Sequence, residues 1–306
     1  MNGQQTASVA PLPRAATTAP LPTRRLGKTG LRVPLVGYGT APGGSGLSDR
    51  DAIELLHDAI DRGVTYLDTA PAYERAQRQL RSVLAERRDE VIVATKVPVD
   101  GATEAFASLS ESLEILGTDH VDIAYVHSLG GRDVDRVLAA DGALAGLRQA
   151  QRAGMTRFVG FTSHNRPRQS ARVLRECEVD VIMVALNYGD RHTYGFERLV
   201  LPEARRRDVG VAAMKVYGGA TGMRYAAPAP AALTTLGPVD HERALRWALD
   251  QEGVAIAVIG MFGLDEVEQN VRWARRARPL TAAELQDLEQ AGQALAAHWG
   301  EHYGPR

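Results

Sequence analysis

From Pro34 onward one pattern recurs along the chain. A short, nearly unbroken apolar run is followed by a polar or glycine-containing loop and then by a stretch with helical apolar spacing. The apolar runs cover residues 35–39, 65–68, 91–96, 121–127, 158–162, 181–187, 209–215 and 254–260. Continuous rather than alternating hydrophobicity marks parallel strands covered on both faces. Amphipathic stretches between them, such as 51–62, 103–116 and 167–176, predict helices. Thr40, Asp68, Lys96, His127, Thr162, Asn187, Lys215 and Gly260 mark the C-terminal ends of the runs, at steps of 28, 28, 31, 35, 25, 28 and 45 residues. Eight strand–helix units of about thirty residues predict a (β/α)8 TIM barrel. An open doubly wound sheet fits less well. The segment Gly37-Tyr38-Gly39-Thr40-Ala41-Pro42 puts proline where the dinucleotide fingerprint needs its third glycine. The longest step holds a Gly-, Ala- and Pro-rich insertion over 217–238, which leaves the C-terminal face of the barrel and is expected to cover substrate or cofactor.

Residues 1–22 are rich in Ala, Pro, Thr and Gln and show no apolar period, so a disordered tail is expected there, with one barrel domain and a C-terminal helix over 23–306. Two short extended pieces between Arg24 and Val33 flank Gly27-Lys28-Thr29-Gly30, which predicts an N-terminal β-hairpin. The Gly-Lys-Thr is not a phosphate-binding loop, because Pro22 stands where that motif requires its first glycine.

Composition narrows the function. Of 306 residues, 44% are hydrophobic and 24% charged, enough for a large core. Lys and Arg number 36 against 37 Asp and Glu, a net charge of −1, so no global field favours a nucleic acid or an anionic membrane. Cys177 is the single cysteine, which rules out an intrachain disulfide and a cysteine-only metal site; no metal is expected. No apolar run reaches the roughly eighteen residues of a membrane span, and no secretory apolar region opens the chain. The expected compartment is the cytoplasm, and the expected partner a small molecule.

Barrel active sites sit at the C-terminal ends of strands. There Asp68, Lys96 and His127 end three consecutive apolar runs, and Tyr73 follows Asp68 in the loop. A free phenol titrates near 10, and a lysine cation beside it would lower that value. A buried lysine needs a partner, which Asp68 can supply. His127 can donate a hydrogen bond to a carbonyl oxygen. Together these groups suit protonation of a carbonyl while hydride reaches its carbon. Cys177 reads as a buried structural thiol, and Trp247, Trp273 and Trp299 as helix packing. His164 reads equally as a cleft residue or a turn cap.

The chain resembles the aldo-keto reductases. The matching stretches are Arg25-Leu26-Gly27-Lys28-Thr29-Gly30-Leu31-Arg32-Val33-Pro34, Gly63-Val64-Thr65-Tyr66-Leu67-Asp68-Thr69-Ala70-Pro71-Ala72-Tyr73, Ala94-Thr95-Lys96-Val97, Asp122-Ile123-Ala124-Tyr125-Val126-His127 and Val258-Ile259-Gly260 with Asn270, spanning about residues 24–275. The resemblance implies a (β/α)8 oxidoreductase acting on an aldehyde, ketone or sugar carbonyl. Tyr73 would be its general acid/base, Lys96 and Asp68 would tune it, and His127 would orient the carbonyl. It also implies a nicotinamide cofactor, NADP(H) by default, lying across the barrel mouth. Gly39, Thr40 and Asp68 would approach the nicotinamide, with Thr162, Ser163 and Asn187 at its carboxamide and Met214 on its ring. Lys215 would face the pyrophosphate, and Gly260, Gly263, Glu266 and Asn270 the adenosine end.

Two stretches depart from the family. After Tyr73 the chain reads Glu74-Arg75-Ala76-Gln77 in place of Gly-x-Ser-Glu, which bears on the loop conformation. After the eighth run it reads Gly260-Met261-Phe262-Gly263-Leu264-Asp265-Glu266, without the basic residues that hold a 2′-phosphate, so NAD(H) is an alternative to NADP(H). Two further readings stay open: a Schiff-base lyase using Lys96, and a regulatory barrel that binds cofactor without turnover. Substrate choice is expected in the loops 128–141, 189–195 and 217–238 and in the tail after Pro279. Oligomeric state is open.

Overall fold

The computed structural model describes residues 20–220, 225 and 240–306. Eight parallel strands close into a barrel in the order β10-β3-β4-β5-β6-β7-β8-β9. They are β3 Val36–Gly39, β4 Tyr66–Asp68, β5 Ile92–Val97, β6 Val121–Val126, β7 Thr156–Ser163, β8 Val181–Ala185, β9 Gly210–Met214 and β10 Val254–Gly260. Each falls on one of the eight apolar runs. An antiparallel hairpin of β1 Thr23–Arg25 and β2 Arg32–Pro34 precedes them, with Arg24 opposite Val33. Its turn places Gly27 at φ +49°, where an added Cβ would lie 2.2 Å from the amide nitrogen of Gly210. The hairpin can seat on the end of β9 only because that position lacks a side chain. Leu21 is buried in the core, so the packed body takes in residues ahead of the hairpin. The tail expected upstream lies outside the described residues, as does most of the 217–238 insertion.

Twelve helices wrap the barrel among the described residues: α1 Ala41–Gly46, α2 Asp49–Asp61, α3 Ala76–Arg87, α4 Ala102–Leu116, α5 Val134–Leu138, α6 Ala143–Arg152, α7 Pro167–Glu176, α8 Phe196–Leu199, α9 Leu201–Arg206, α10 His241–Asp250, α11 Leu264–Arg275 and α12 Ala282–Trp299. The periodicity over 167–176 matches α7 at both ends, and proline at its first position suits a helix start. Ser48 caps α2 by accepting from the Asp51 amide, and Thr281 with Glu284 forms a capping box on α12.

The main core lies between strands and helices. A second cluster, including Leu26, Tyr66, Ile123, Tyr125 and Met183, fills the barrel interior, where the Tyr66 and Tyr125 hydroxyls meet at 3.0 Å. The strand register then fixes what reaches the open end. Gly260 pairs with Gly39, Gly39 with Asp68 and Asp68 with Ala94, so Lys96, two residues further along β5, stands at the same rim as Asp68.

Candidate active site

Asp68 closes β4 and Lys96 lies near the end of β5, both almost wholly buried. The Lys96 ammonium donates to Asp68 Oδ2 at 2.6 Å and to the Thr69 carbonyl at 2.9 Å. Burial pushes the Asp68 carboxyl up and the Lys96 ammonium down, and their mutual attraction opposes both shifts. Thr40 steadies the strand end, its amide at 2.9 Å and its hydroxyl at 3.0 Å both donating to the Asp68 carbonyl. Asp68 Oδ1 is buried and has no hydrogen-bond partner among the described residues.

Tyr73 is carried by a tight turn. Its amide donates to the Ala70 carbonyl, and its carbonyl accepts from the Ala76 amide that starts α3. Glu74, the first residue of the departing tetrapeptide, takes a left-handed φ of +47°. Gly44 lets the turn close, since a Cβ there would come within 2.0 Å of the Tyr73 carbonyl oxygen. The Tyr73 ring is half-buried, with the Lys96 ammonium 4.7 Å from its centroid. The His127 ring meets it edge-on at 6.1 Å. Four groups expected at one rim thus lie together.

The titration of Tyr73 runs opposite to the sequence expectation. The phenol is pushed well above its ordinary value, first by desolvation in the crowded mouth, then by the charges of Asp68 and Tyr225. Lys96 lies over the ring face and donates to Asp68 and Thr69, and among the described residues no hydrogen bond joins it to the phenol. His127 is lowered to about 3, by burial first and then by Lys96, Arg132 and Lys215. Its imidazole is therefore neutral at physiological pH.

A cavity of about 350 Å³ opens in front of these groups. At one end it is lined by Asp68, Tyr73, His164, Lys215 and Tyr225, and at the other by Tyr217, His241, Glu266, Asn270 and Trp273. Gly39 and Gly260 form part of its wall beside Pro42, and a Cβ on Gly260 would strike the Pro42 ring at 2.6 Å. Met214 also lines it. His164, read equally as cleft residue or cap, is a cleft residue. Trp273, read as packing, lines the cavity, whereas Trp247 is packed in the core. Cys177 is half-buried, less enclosed than expected.

The three groups expected at a carboxamide are instead engaged by the protein. The Thr162 hydroxyl accepts from the Ser128 amide at 2.9 Å, holding the turn after His127, and Ser163 donates to the Asn165 carbonyl at 2.8 Å. Asn187 donates to Asp190 and the Lys215 carbonyl and accepts from the amides of Gly189 and Asp190. None of the three lines the cavity, and neither does Gly263. Glu266 does, its carboxylate accepting from the Phe262 amide at 2.8 Å and raised by burial. Asn270 accepts from the Tyr217 hydroxyl at 2.6 Å and donates to the Glu266 carbonyl at 2.8 Å.

Tyr217 and Tyr225, within the insertion expected to cover substrate or cofactor, line the cavity; His241 and Met183, also cavity residues, were not expected there. His241 opens α10, and nothing in the helical periodicity shows which of its residues faces the cavity. Among the described residues, no group of three or more His, Cys, Asp and Glu is placed to hold a metal ion, and no helix is long and apolar enough to cross a membrane.

A model of the aldo/keto reductase family matches residues 35–230. The chain belongs to that family. Among its relatives, L-galactose dehydrogenase of Arabidopsis thaliana is 27% identical over 81% of this chain and 86% of its own. D-threo-aldose 1-dehydrogenase of a Pseudomonas species is 31% identical over 61% and 67%. A solved structure described as an aldo-keto reductase of Pseudomonas aeruginosa is 29% identical, with a TM-score of 0.69 over 83% of this chain and 95% of that one. An aldo/keto reductase of Klebsiella pneumoniae, solved with NADP and acetate, shares the fold at a TM-score of 0.69 and 20% identity, over 88% and 94%. Family membership makes the chain an oxidoreductase built on a (β/α)8 barrel.

Proposed function

We propose that the protein interconverts a carbonyl compound and its alcohol with a nicotinamide cofactor, Tyr73 moving the proton. The observation that carries this reading is the convergence of Asp68, Lys96, Tyr73 and His127, of which Asp68 and Tyr73 line the cavity. Convergence of positioned groups lowers a barrier that the same groups apart would leave untouched.

The cavity lining suits a dinucleotide. Gly39 and Gly260 form part of one wall, and the rings of Tyr217, His241 and Trp273 stand at the opposite end for an adenine. The neighbour from Klebsiella, of the same fold, holds NADP. Met214 would pack on the nicotinamide, and Asn270 and Glu266 would meet the adenosine hydroxyls. Thr162 keeps its hydroxyl donor and Ser163 its lone pairs for a carboxamide, whereas the Asn187 amide is fully engaged. No arginine lines the described cavity, and a carboxylate suits a 2′-hydroxyl better than a 2′-phosphate, which favours NADH over the family's NADPH. When bound, the reduced cofactor supplies hydride.

In reduction the Tyr73 hydroxyl gives its proton to the carbonyl oxygen. Its raised titration keeps it protonated at neutral pH, the form that this direction consumes. The neutral His127 donates one hydrogen bond to the same oxygen and adds no charge. The Asp68–Lys96 pair holds the ammonium against the tyrosine ring. Because Asp68 neutralises Lys96 at 2.6 Å, the amine stays charged and is a poor Schiff-base nucleophile. Two relatives are named as sugar dehydrogenases, so sugars and their lactols belong in the first substrate panel.

The test follows the nicotinamide absorbance band with aldehydes, ketones and sugars, using each cofactor. Tyr73→Phe should cut turnover by roughly 10²–10⁴-fold, the range for general acid catalysis, while cofactor affinity by fluorescence stays unchanged. A Tyr73→Phe enzyme with undiminished turnover would refute the assignment.

A further inference from the structure

Two imidazoles stand near the catalytic end of the cavity, and the proposed proton transfer uses one of them. The other, His164, follows directly on the last residue of β7 and lines the cavity itself. The turn after His127 links the two. Ser128 takes a left-handed φ of +55°, and its amide donates to the Thr162 hydroxyl at 2.9 Å. A non-glycine residue in that region is uncommon and persists where the surrounding structure over-determines it. In this conformation the Ser128 hydroxyl lies 3.4 Å from His164 Nδ1. The chain neighbour of His127 is thus the hydrogen-bond partner of His164.

A second contact steadies the ring. Tyr303, in the C-terminal segment, lies 5.9 Å from it, centroid to centroid. Tyr303 is in turn seated on Tyr194: its amide donates to the Tyr194 hydroxyl at 2.9 Å, and the two rings stack at 5.7 Å. With Ser128 at Nδ1 and Tyr303 beside the ring, Nε2 makes no hydrogen bond to a described residue. Burial, and after it the charge of Lys215, holds the imidazole well below its ordinary titration, so the ring is neutral. A neutral imidazole has one N–H and one bare nitrogen, and a serine hydroxyl turns to serve either at Nδ1. Nε2 is therefore free to donate or to accept. An ammonium only donates and an ionised carboxylate only accepts, whereas a hydroxyl does both and matches this group in either tautomer.

We propose that His164 determines specificity by bonding a hydroxyl on the carbon next to the reacting carbonyl, so that the preferred substrates are 2-hydroxy carbonyl compounds and the products their vicinal diols. This deepens the proposed reductase reading and rests on it for the carbonyl. The hydroxyl contact is a binding property, tested without turnover. Tyr73 and His127 hold the carbonyl oxygen, and Ser128, joined to His127 by the chain, sets His164 beside it. Both contacts are fixed to the protein, so they receive the hydroxyl of one enantiomer and miss that of the other.

The experiment compares the two enantiomers of 2-hydroxypropanal as substrates for the native full chain, His164→Leu and His164→Gln. Enantiomers share size, polarity and hydration, so contacts with the protein alone tell them apart. The native chain should prefer one of them in kcat/KM by about tenfold, the worth of one net hydrogen bond. His164→Leu should lose the preference, and His164→Gln, which keeps a donor and an acceptor, should retain most of it. Binding without turnover is read by NMR titration with the two enantiomers of propane-1,2-diol, which should be told apart by the native chain and His164→Gln and not by His164→Leu. Fluorescence titration with NADH should give one dissociation constant for all three proteins. A native chain indifferent to the enantiomers, or a preference that survives His164→Leu, would overturn the proposal. So would a loss of NADH affinity in His164→Leu, which would assign the imidazole to the nicotinamide. If neither aldehyde is reduced while the diols behave as expected, the choice of reaction fails and the hydroxyl contact stands.

Discussion

The two ends of the cavity solve opposite problems. At the catalytic end, β4 and β5 push a carboxylate and an ammonium out of water, and each is tolerable only because the other is 2.6 Å away. At the other end, groups come from the segment after β9 and from α10 and α11, and the wall is made of rings and amides: Tyr217, His241, Trp273 and Asn270. The single carboxylate there, Glu266, leans on a backbone amide instead of a cation. The first arrangement is stiff and intolerant of change. The second is a surface whose preferences can be altered one side chain at a time.

The sharpest way to break the comparison is to remove one half of the buried pair. Asp68→Asn strands the Lys96 ammonium in a site with no other carboxylate beside it. Removing one partner of a buried pair costs about 3–5 kcal/mol, so unfolding by heat or denaturant should come markedly earlier. Turnover should fall by about 10²-fold or more, since the ammonium is freed from its place against the Tyr73 ring. The double variant Asp68→Asn with Lys96→Met should recover much of the stability and none of the activity. If the single variant is as stable as the native chain, the pair is not the structural hinge of this end.

A pH measurement comes next. His127 titrates near 3 in the folded protein and near 6.5 in an unfolded chain. Between those values the unfolded state binds the extra proton, so this residue makes stability fall as pH drops from about 6.5 toward 3. Above about 6.5 it contributes no slope. Denaturant unfolding at stepped pH should show a gentler decline in His127→Asn than in the native protein. The rate profile should show no break from His127 between pH 5 and 8. Parallel stability curves for the two proteins would mean that the imidazole is open to solvent.

The same contrast explains what could be read without coordinates. The eight strands were legible because a strand buried on both faces is an unbroken apolar run, and each run became a strand within two residues or so at its ends. Asp68, Lys96 and His127 were legible because each interrupts such a run at a predictable place. The direction of the Tyr73 shift was not, since it depends on whether the ammonium sits over the ring or beside the hydroxyl. Asn187 was assigned to the carboxamide by resemblance, and what the sequence does not show is that its amide also closes the following turn on Gly189 and Asp190. At the opposite end nothing in the pattern distinguished Trp273 from a packing residue. Its helix, α11, has one face on the barrel, and which residue overlooks the cavity depends on the angle at which the helix leaves β10.

The smallest expected effect probes that second end. Glu266 lines the cavity where the family's basic residues would meet a 2′-phosphate. Glu266→Arg exchanges a repulsive charge for an attractive one without touching Asp68, Tyr73, Lys96 or His127. Both side chains are partly open to water at this position, so screening limits the gain. A shift of about tenfold in the NADPH to NADH affinity ratio, equal to about 1.4 kcal/mol, is the expected size. Fluorescence titration of both reduced cofactors reads it directly, and raising the salt concentration should shrink the shift. The melting temperature should barely move, because among the described residues the Glu266 side chain loses one bond, accepted from the Phe262 amide at a solvent-facing helix start. A variant whose cofactor ratio stays at the native value would place the adenosine elsewhere, and the division of the cavity into a rigid chemical end and an adjustable binding end would not hold.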